Sequence, residues 1–233
     1  VTVKKRDLRT ITDLSAEDVQ RVFDRATAMR LKREAYAGEL GGKVMALIME
    51  KQSLRTRVTF ETGMFHLGGT SIFLTNQDIA LGKREPVSDV ARNLERWVDI
   101  IVARVYKQEH VNQLAEHASV PVINALSDEA HPCQALTDLF SLQFLGNELK
   151  GFPLTYIGDG NNVCHSLLLL SGLVGARMTV CTPEIPQYMP QEKIMNLGRQ
   201  LAGESGGEVR FESDPKKAVE GARAVYTDVW TSM

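Results

Sequence analysis

Gly41-Gly42-Lys43-Val44-Met45-Ala46-Leu47-Ile48-Met49-Glu50-Lys51-Gln52-Ser53-Leu54-Arg55-Thr56-Arg57 is the stretch on which the reading of this chain turns. Lys43 to Met49 is a continuous apolar run between a glycine pair and a polar turn, the pattern of a strand buried on both faces of a parallel sheet. The segment after it opens a helix near Arg55, so strand, short polar loop and helix follow one another within the first turn of a βαβ unit. Parallel strands need such crossovers, which are right-handed. The same alternation should therefore recur along the chain.

It does. Candidate strands lie at 43–49, 71–74, 100–105, 120–124, 154–157, 178–181, 209–211 and 224–227, with helical patterns at about 55–67, 88–97, 108–118, 131–146, 161–174, 190–203 and 215–221. A further helix opens at Asp13-Leu14-Ser15, where Ser15 and Asp18 form a variant capping box and Val19, Val22, Phe23, Ala26 and Met29 recur at helical spacing; its end is expected near Gly38. The fold class is α/β: two domains, each a mainly parallel sheet flanked by helices. Gly146 to Pro153 punctuates the chain between the fourth and fifth strands. The expected domains are residues 1–146 and 147–233.

Composition narrows the function. The 233 residues carry 27 Lys+Arg against 29 Asp+Glu, a formal charge of −2, with a pI near 6.3. A sequence-independent nucleic-acid binder needs a basic face, so no nucleic-acid partner is expected, and any anion site must be local. The longest apolar stretch, Leu167 to Gly175, is too short and too interrupted to span a bilayer, and no membrane association is expected. Lys4, Lys5 and Arg6 have no apolar run behind them, so the N-terminus does not read as a secretory signal. Cys133, Cys164 and Cys181 are odd in number and show no paired spacing, which favours a reducing compartment and gives no zinc site.

Ligands of open α/β sheets bind at the carboxyl ends of the strands, and the polar motifs of this chain sit just after strands. Ser53-Leu54-Arg55-Thr56-Arg57 joins a helix N-terminus, two hydroxyls and two guanidiniums, the donor set of a phosphate site. Cations there oppose the helix dipole, which is unfavourable unless an anion lies between them. Arg104 ends an apolar strand and reads either as the partner of an anion or carbonyl, or as an arginine reaching to solvent. His131-Pro132-Cys133-Gln134 opens another helix with Pro132 suited to its first position. His131 is either a ligand group or simply a residue at the helix start, and Gln134 offers an amide that donates and accepts. Ile157-Gly158-Asp159-Gly160-Asn161-Asn162-Val163 departs from the dinucleotide fingerprint, with Val163 at the third glycine position and no acidic residue closing the next strand. Asp159, Asn161 and Asn162 suit a zwitterionic ligand better. Asp228, after the last strand, can hold an ammonium group or make an Asx turn.

Taken in order and spacing, SLRTR, HPCQ, YIGDGNNVCHS and DVWTSM resemble the ornithine carbamoyltransferases, over nearly the whole chain from Arg6 to Met233. The first two motifs are shared with the aspartate enzymes, and the last two point to ornithine. The resemblance implies transfer of the carbamoyl group of carbamoyl phosphate to the δ-amine of L-ornithine, giving citrulline and phosphate, with no metal and no organic cofactor. It assigns Ser53, Leu54, Arg55, Thr56 and Arg57 to the carbamoyl phosphate site, with Arg104, His131 and Thr56 on the carbonyl oxygen and Gln134 on the amino group; Arg104 and His131 are the catalytic pair. Asn162, Asp228, Ser232 and Met233 fall to ornithine. It further implies a homotrimer or a multiple of trimers, in which the Gln77 to Glu85 loop reaches a neighbouring subunit, and a cytoplasmic enzyme, the alternative being a mitochondrial matrix protein that has lost a transit peptide.

Leu54 stands where relatives often have Thr, and Ala80 where many have Gln or His. The family pattern continues past Met233, so the second domain is expected to be incomplete and the 233-residue chain alone inactive. The alternatives are a carbamoyltransferase with another amine acceptor, a non-catalytic carbamoyl-phosphate-binding subunit, and, more distantly, a nucleotide binder.

Overall fold

The computed structural model describes residues 5–228. Eight strands form two four-stranded sheets, every pairing parallel, as the continuous apolar runs require. The chain folds as two compact units.

Among the described residues, the first unit comprises 5–13 and 24–128. Strands β1 (Val44–Met49), β2 (Thr70–Thr75), β3 (Ile100–Arg104) and β4 (Val122–Leu126) lie in the order β2-β1-β3-β4. Five of the six β1 residues are buried. Residues Ala46, Ile48, Ile101 and Ala103 face one layer of core, shared with α4 (Val87–Leu94) and α5 (Gln108–His117), while Met45, Leu47, Met49 and Val102 face the other, under α2 (Leu54–His66). The chain leaves the centre of the sheet to one side for β2 and returns to the other for β3, so the crevice of this sheet opens at the carboxyl ends of β1 and β3.

Among the described residues, the second unit comprises 14–23 and 129–228. Its strands are β5 (Pro153–Ile157), β6 (Arg177–Cys181), β7 (Glu208–Phe211) and β8 (Ala224–Thr227), in the order β7-β6-β5-β8. The reversal here falls between β5 and β8. Helix α7 (Asn162–Leu173) is buried along ten consecutive residues, Val163 to Gly172, which is why its sequence shows no polar face. The apolar run at Leu167 belongs to this central helix, and among the described residues no helix is long and apolar enough to cross a membrane.

The structure differs from the sequence reading in two places. Helix α1 (Ala16–Leu31) starts at the expected capping box, with Asp18 N–H donating to Ser15 Oγ at 3.1 Å, but it ends at Leu31, seven residues before Gly38. A separate 3₁₀ turn, Arg33–Tyr36, follows. The 77–85 segment is not all loop: α3 (Asn76–Ile79) is capped by Asp78, which accepts from the backbone N–H and hydroxyl of Thr75, and it stops at Ala80, held left-handed at φ +45°. Helix α6 (Pro132–Phe144) packs on α7, and its Phe140 meets Phe23 at a ring separation of 5.6 Å.

The contact of α7 with α8 (Glu192–Ser205) is made close by glycines: a Cβ on Gly172 would lie 2.7 Å from the carbonyl oxygen of Gly198. Backbone cannot yield as a side-chain tip does, so Gly172→Ala should destabilise the protein by about 1–3 kcal/mol, the usual cost of overpacking. A urea titration showing an unchanged midpoint would contradict this.

Candidate active site

In the first unit the cradle is built by one short loop and one strand end. Ser53 is the N-cap of α2, its hydroxyl accepting from Thr56 N–H at 3.3 Å. The first turn contains no acidic residue, so the amide N–H groups and the dipole there are not neutralised from within. Arg104 stands at the end of β3, where the β3–β4 register shifts between Ala103 and Arg104, a distortion of the kind that re-aims a side chain. Its Nη1 donates to Thr56 Oγ1 at 3.1 Å, and its Nε is buried without a hydrogen-bond partner among the described residues. Burial, then the positive charge of Arg55, lowers the Arg104 pKa. Two guanidiniums close enough to oppose each other's charge, one of them half-buried, form a site that an anion would relieve.

Arg57 lies apart from this group. Its guanidinium covers the Phe73 ring at 3.8 Å, and its Nε meets Glu61 at 3.3 Å. Leu54 presents an 80% exposed side chain, leaving its backbone N–H as its contribution to the helix terminus. Glu50, absent from the sequence reading, fastens the strand end: its N–H donates to Arg104 O and its Oε2 accepts from Tyr106 N–H, both at 2.9 Å.

In the second unit His131 caps α6, its backbone N–H donating to Ser166 Oγ of α7 at 2.8 Å, with Pro132 in the first helical position as expected. Gln134, one turn on, donates through Nε2 to Asp138 Oδ1 at 2.8 Å. At the β5/β8 reversal, Asn161 serves two purposes. Its Oδ1 caps α7, accepting from Val163 and Cys164 N–H at 2.9 and 3.0 Å, and its Nδ2 donates to Asp228 Oδ2 at 2.9 Å. Asn162 opens α7 beside it. Tyr156 donates to Asp159 O at 2.7 Å and stacks on Tyr226. Asp138, Asp159 and Asp228 have no Lys or Arg ion-pair partner among the described residues. Burial raises Asp138 to about 6, the hydrogen bond from Gln134 and the nearby Tyr226 hydroxyl oppose the rise, and Asp228 adds to it. Ser232 and Met233 lie outside the described residues.

The glycine turn is explained by the chain itself. Gly160 N–H donates to Tyr188 O at 2.7 Å, and a Cβ at Gly160 would sit 2.1 Å from Pro190 N. The close approach these glycines permit is to the 188–190 backbone, so the turn needs no pyrophosphate to account for it. His165, which sequence reading passed over, holds this segment: its Nε2 accepts from Gln191 N–H at 3.1 Å and its Nδ1 meets Glu129 O at 3.0 Å. Those two backbone partners fix the neutral tautomer with the proton on Nδ1.

Fold and sites together define a class: paired parallel α/β units, one offering an anion cradle at its strand reversal, the other carboxylates and amides suited to an amine. The chain belongs to the aspartate/ornithine carbamoyltransferase family. The model of that family's carbamoyl-P binding domain matches residues 6–143, and that of its Asp/Orn binding domain matches residues 150–233. Among curated relatives, the ornithine carbamoyltransferase of Pyrococcus horikoshii is 44% identical over 235 residues, covering 100% of this chain and 74% of that one. The Thermus thermophilus protein of the same name is 47% identical over 229 residues, covering 98% and 72%. The structure of the Pyrococcus furiosus ornithine carbamoyltransferase superposes with a TM-score of 0.95 at 44% identity, over 100% of this chain and 74% of that one. The Giardia lamblia ornithine transcarbamoylase gives 0.90 at 33%, over 98% and 76%.

Burial lowers the His165 pKa, so the folded protein favours the neutral ring. Its contribution to stability is present above the ordinary histidine value near 6.5 and is lost as pH falls through the depressed folded value. Replacing His165 with Phe should lower the melting temperature at pH 7.5 and flatten its decline between pH 7 and 5. A decline as steep as that of the wild type would show that another group causes it.

Proposed function

We propose that this protein transfers the carbamoyl group of carbamoyl phosphate to the δ-amine of L-ornithine, producing L-citrulline and phosphate. The observation that carries the reading is the opposite chemistry of the two units: a half-buried cationic cradle at the β1/β3 end and carboxylates without basic partners at the β5/β8 end. One suits a doubly charged phosphate, the other a substrate with an ammonium group. Membership of the family and the names of its relatives support the same pairing.

In this reading the α2 N-terminus, Ser53, Leu54 N–H, Arg55 and Thr56 hold the phosphate. Arg104 and His131 donate to the carbonyl oxygen, and Gln134 meets the amino group. Arg57 adds its charge to the same helix terminus, its guanidinium held by Phe73 and Glu61. Asp228, oriented by Asn161, takes the α-ammonium of ornithine, with Asn162, Ser232 and Met233 completing its site. The neutral δ-amine attacks the carbonyl carbon, its lone pair forming the C–N bond as charge moves onto the oxygen. Collapse of that oxyanion breaks the C–O bond to phosphate, which leaves with the bonding pair, and the nitrogen loses a proton. Fixed donors placed where the charge grows are the largest contribution such a site makes.

The finer readings follow the same line. A homotrimeric assembly is supported by large apolar side chains left exposed on α2 and β2, namely Leu54, Val58, Phe65 and Ile72. A cytoplasmic location is supported by three free cysteines. A role in arginine biosynthesis is supported by the anabolic ornithine carbamoyltransferase of Pyrococcus furiosus, 44% identical to this chain.

The test is citrulline formation from ornithine and carbamoyl phosphate by the full-length protein. Arg104→Ala should reduce kcat by about a hundred- to a thousandfold, the usual loss for one oxyanion donor, with the melting temperature little changed. Wild-type turnover in that variant would remove Arg104 from the reaction, and carbamoyl phosphate binding without citrulline would make the chain a binding subunit.

A further inference from the structure

Gln134 and Asp138 sit one helical turn apart on α6, and the Gln134 Nε2 donates to Asp138 Oδ1 at 2.8 Å. A primary amide has a donor end and an acceptor end, and rotation about the last side-chain bond exchanges them. Which end faces a ligand depends on what holds the other. A carboxylate can only accept, so an ionised Asp138 takes the NH2 end and leaves the Gln134 carbonyl oxygen outward. Asp138 is set to do this at neutral pH, since its carboxyl, although lifted by burial and Asp228, titrates at about 6 and the Tyr226 hydroxyl helps hold the charged form.

We propose that Asp138 is a positioning residue that sets substrate specificity: by engaging the amide nitrogen of Gln134 it presents the amide oxygen as an acceptor, so the site prefers an acyl phosphate with an N–H donor on its carbonyl carbon to one with a methyl group there. The proposal rests on the carbamoyl phosphate reading above and deepens it. Carbamoyl phosphate and acetyl phosphate differ only in that NH2 or CH3 group, so an acceptor presented by Gln134 distinguishes them. Asn at position 138 would remove this control, because its own amide can meet either end of Gln134. An inverted Gln134 would then point N–H groups at the substrate's N–H groups, leaving donors unpaired.

The experiment measures dissociation constants for carbamoyl phosphate and acetyl phosphate, by calorimetry on the wild-type protein, Asp138→Asn, Gln134→Ala and the double variant. The wild type should prefer carbamoyl phosphate. Asp138→Asn should weaken carbamoyl phosphate by about tenfold, the order expected for a buried donor left unpaired, and leave acetyl phosphate within about twofold. The discrimination ratio should therefore collapse, and Asp138→Asn should add nothing once Gln134 is Ala. The Asn variant should also melt no lower than the wild type at pH 7.5, since it removes a charge that burial and Asp228 disfavour. Equal loss of both ligands would reduce Asp138 to a structural residue and overturn the proposal, as would no loss of either. A wild type that binds both equally overturns it while leaving the phosphate site standing. A wild type that binds neither removes the carbamoyl phosphate reading as well.

Discussion

The hydrogen bond from Arg104 Nη1 to Thr56 Oγ1 spans the point where the first sheet reverses its winding. Neighbouring parallel strands normally pass into helices on one face and close over their own carboxyl ends. Between β1 and β3 they go opposite ways, and the gap left there is floored by the first turn of α2 and walled by the end of β3. An arginine at the end of an apolar strand has to find acceptors, and the one given to it is the hydroxyl of a residue that also heads a helix N-terminus. The remaining buried Nε–H is then held in place for another acceptor. Glu50 fastens the backbone here at Arg104 O and Tyr106 N–H.

The second unit solves the same problem with opposite charge. Between β5 and β8 the bond from Asn161 Nδ2 to Asp228 Oδ2 spans the reversal. Asn161 caps α7 with its oxygen, so its nitrogen is the end left to orient Asp228. A capping residue that also aims a carboxylate links helix stability to site geometry. Loss of its side chain would cost the cap, about 1 kcal/mol in typical cases, and would free Asp228 at once. The 188–190 segment, pressed against Gly160 and strapped by His165, backs this turn from the other side.

Strands β1 and β3 were legible because buried parallel strands are written as unbroken apolar runs, whereas the half-exposed β2, β7 and β8 were legible as short β-rich segments alternating with helical patterns. The cradle was legible because its chemistry is local, compressed into Ser53 to Thr56. What was hidden depends on partners distant in sequence. The end of α1 was overestimated because the residues after Met29 carry no apolar face to lose, and Leu31 is in fact 69% exposed. The partners of Arg57, Phe73 on the following strand and Glu61 one turn on, were not legible. His165 lay inside the motif and still gave no sign, since both its partners are backbone atoms. Asp138 had a sign that could have been used, its spacing of four from Gln134 on a helix.

The direction in which carboxyl groups are perturbed separates those that build this protein from those placed for a ligand. Asp99 is held low by Lys43 and by Val44 N–H, and Glu95 by Ser119 N–H. In both the charged form is what the fold uses, and the carboxylate joins segments far apart in sequence. Asp138 is pushed the other way, by burial and by Asp228, with only Gln134 and Tyr226 to oppose the shift. A fold gains nothing structural by disfavouring the charge of a group it has half buried, whereas a site that must orient an amide and receive an ammonium-bearing substrate requires just that: negative charge held close, without a basic side chain to cancel it. The cationic cradle of the first unit carries the complementary mark, since the Arg104 pKa is lowered by burial and by a second guanidinium and no acidic residue lies in the first turn of α2. Each unit thus holds like charges together at the end of its sheet, a state that becomes favourable when a ligand of opposite charge is bound.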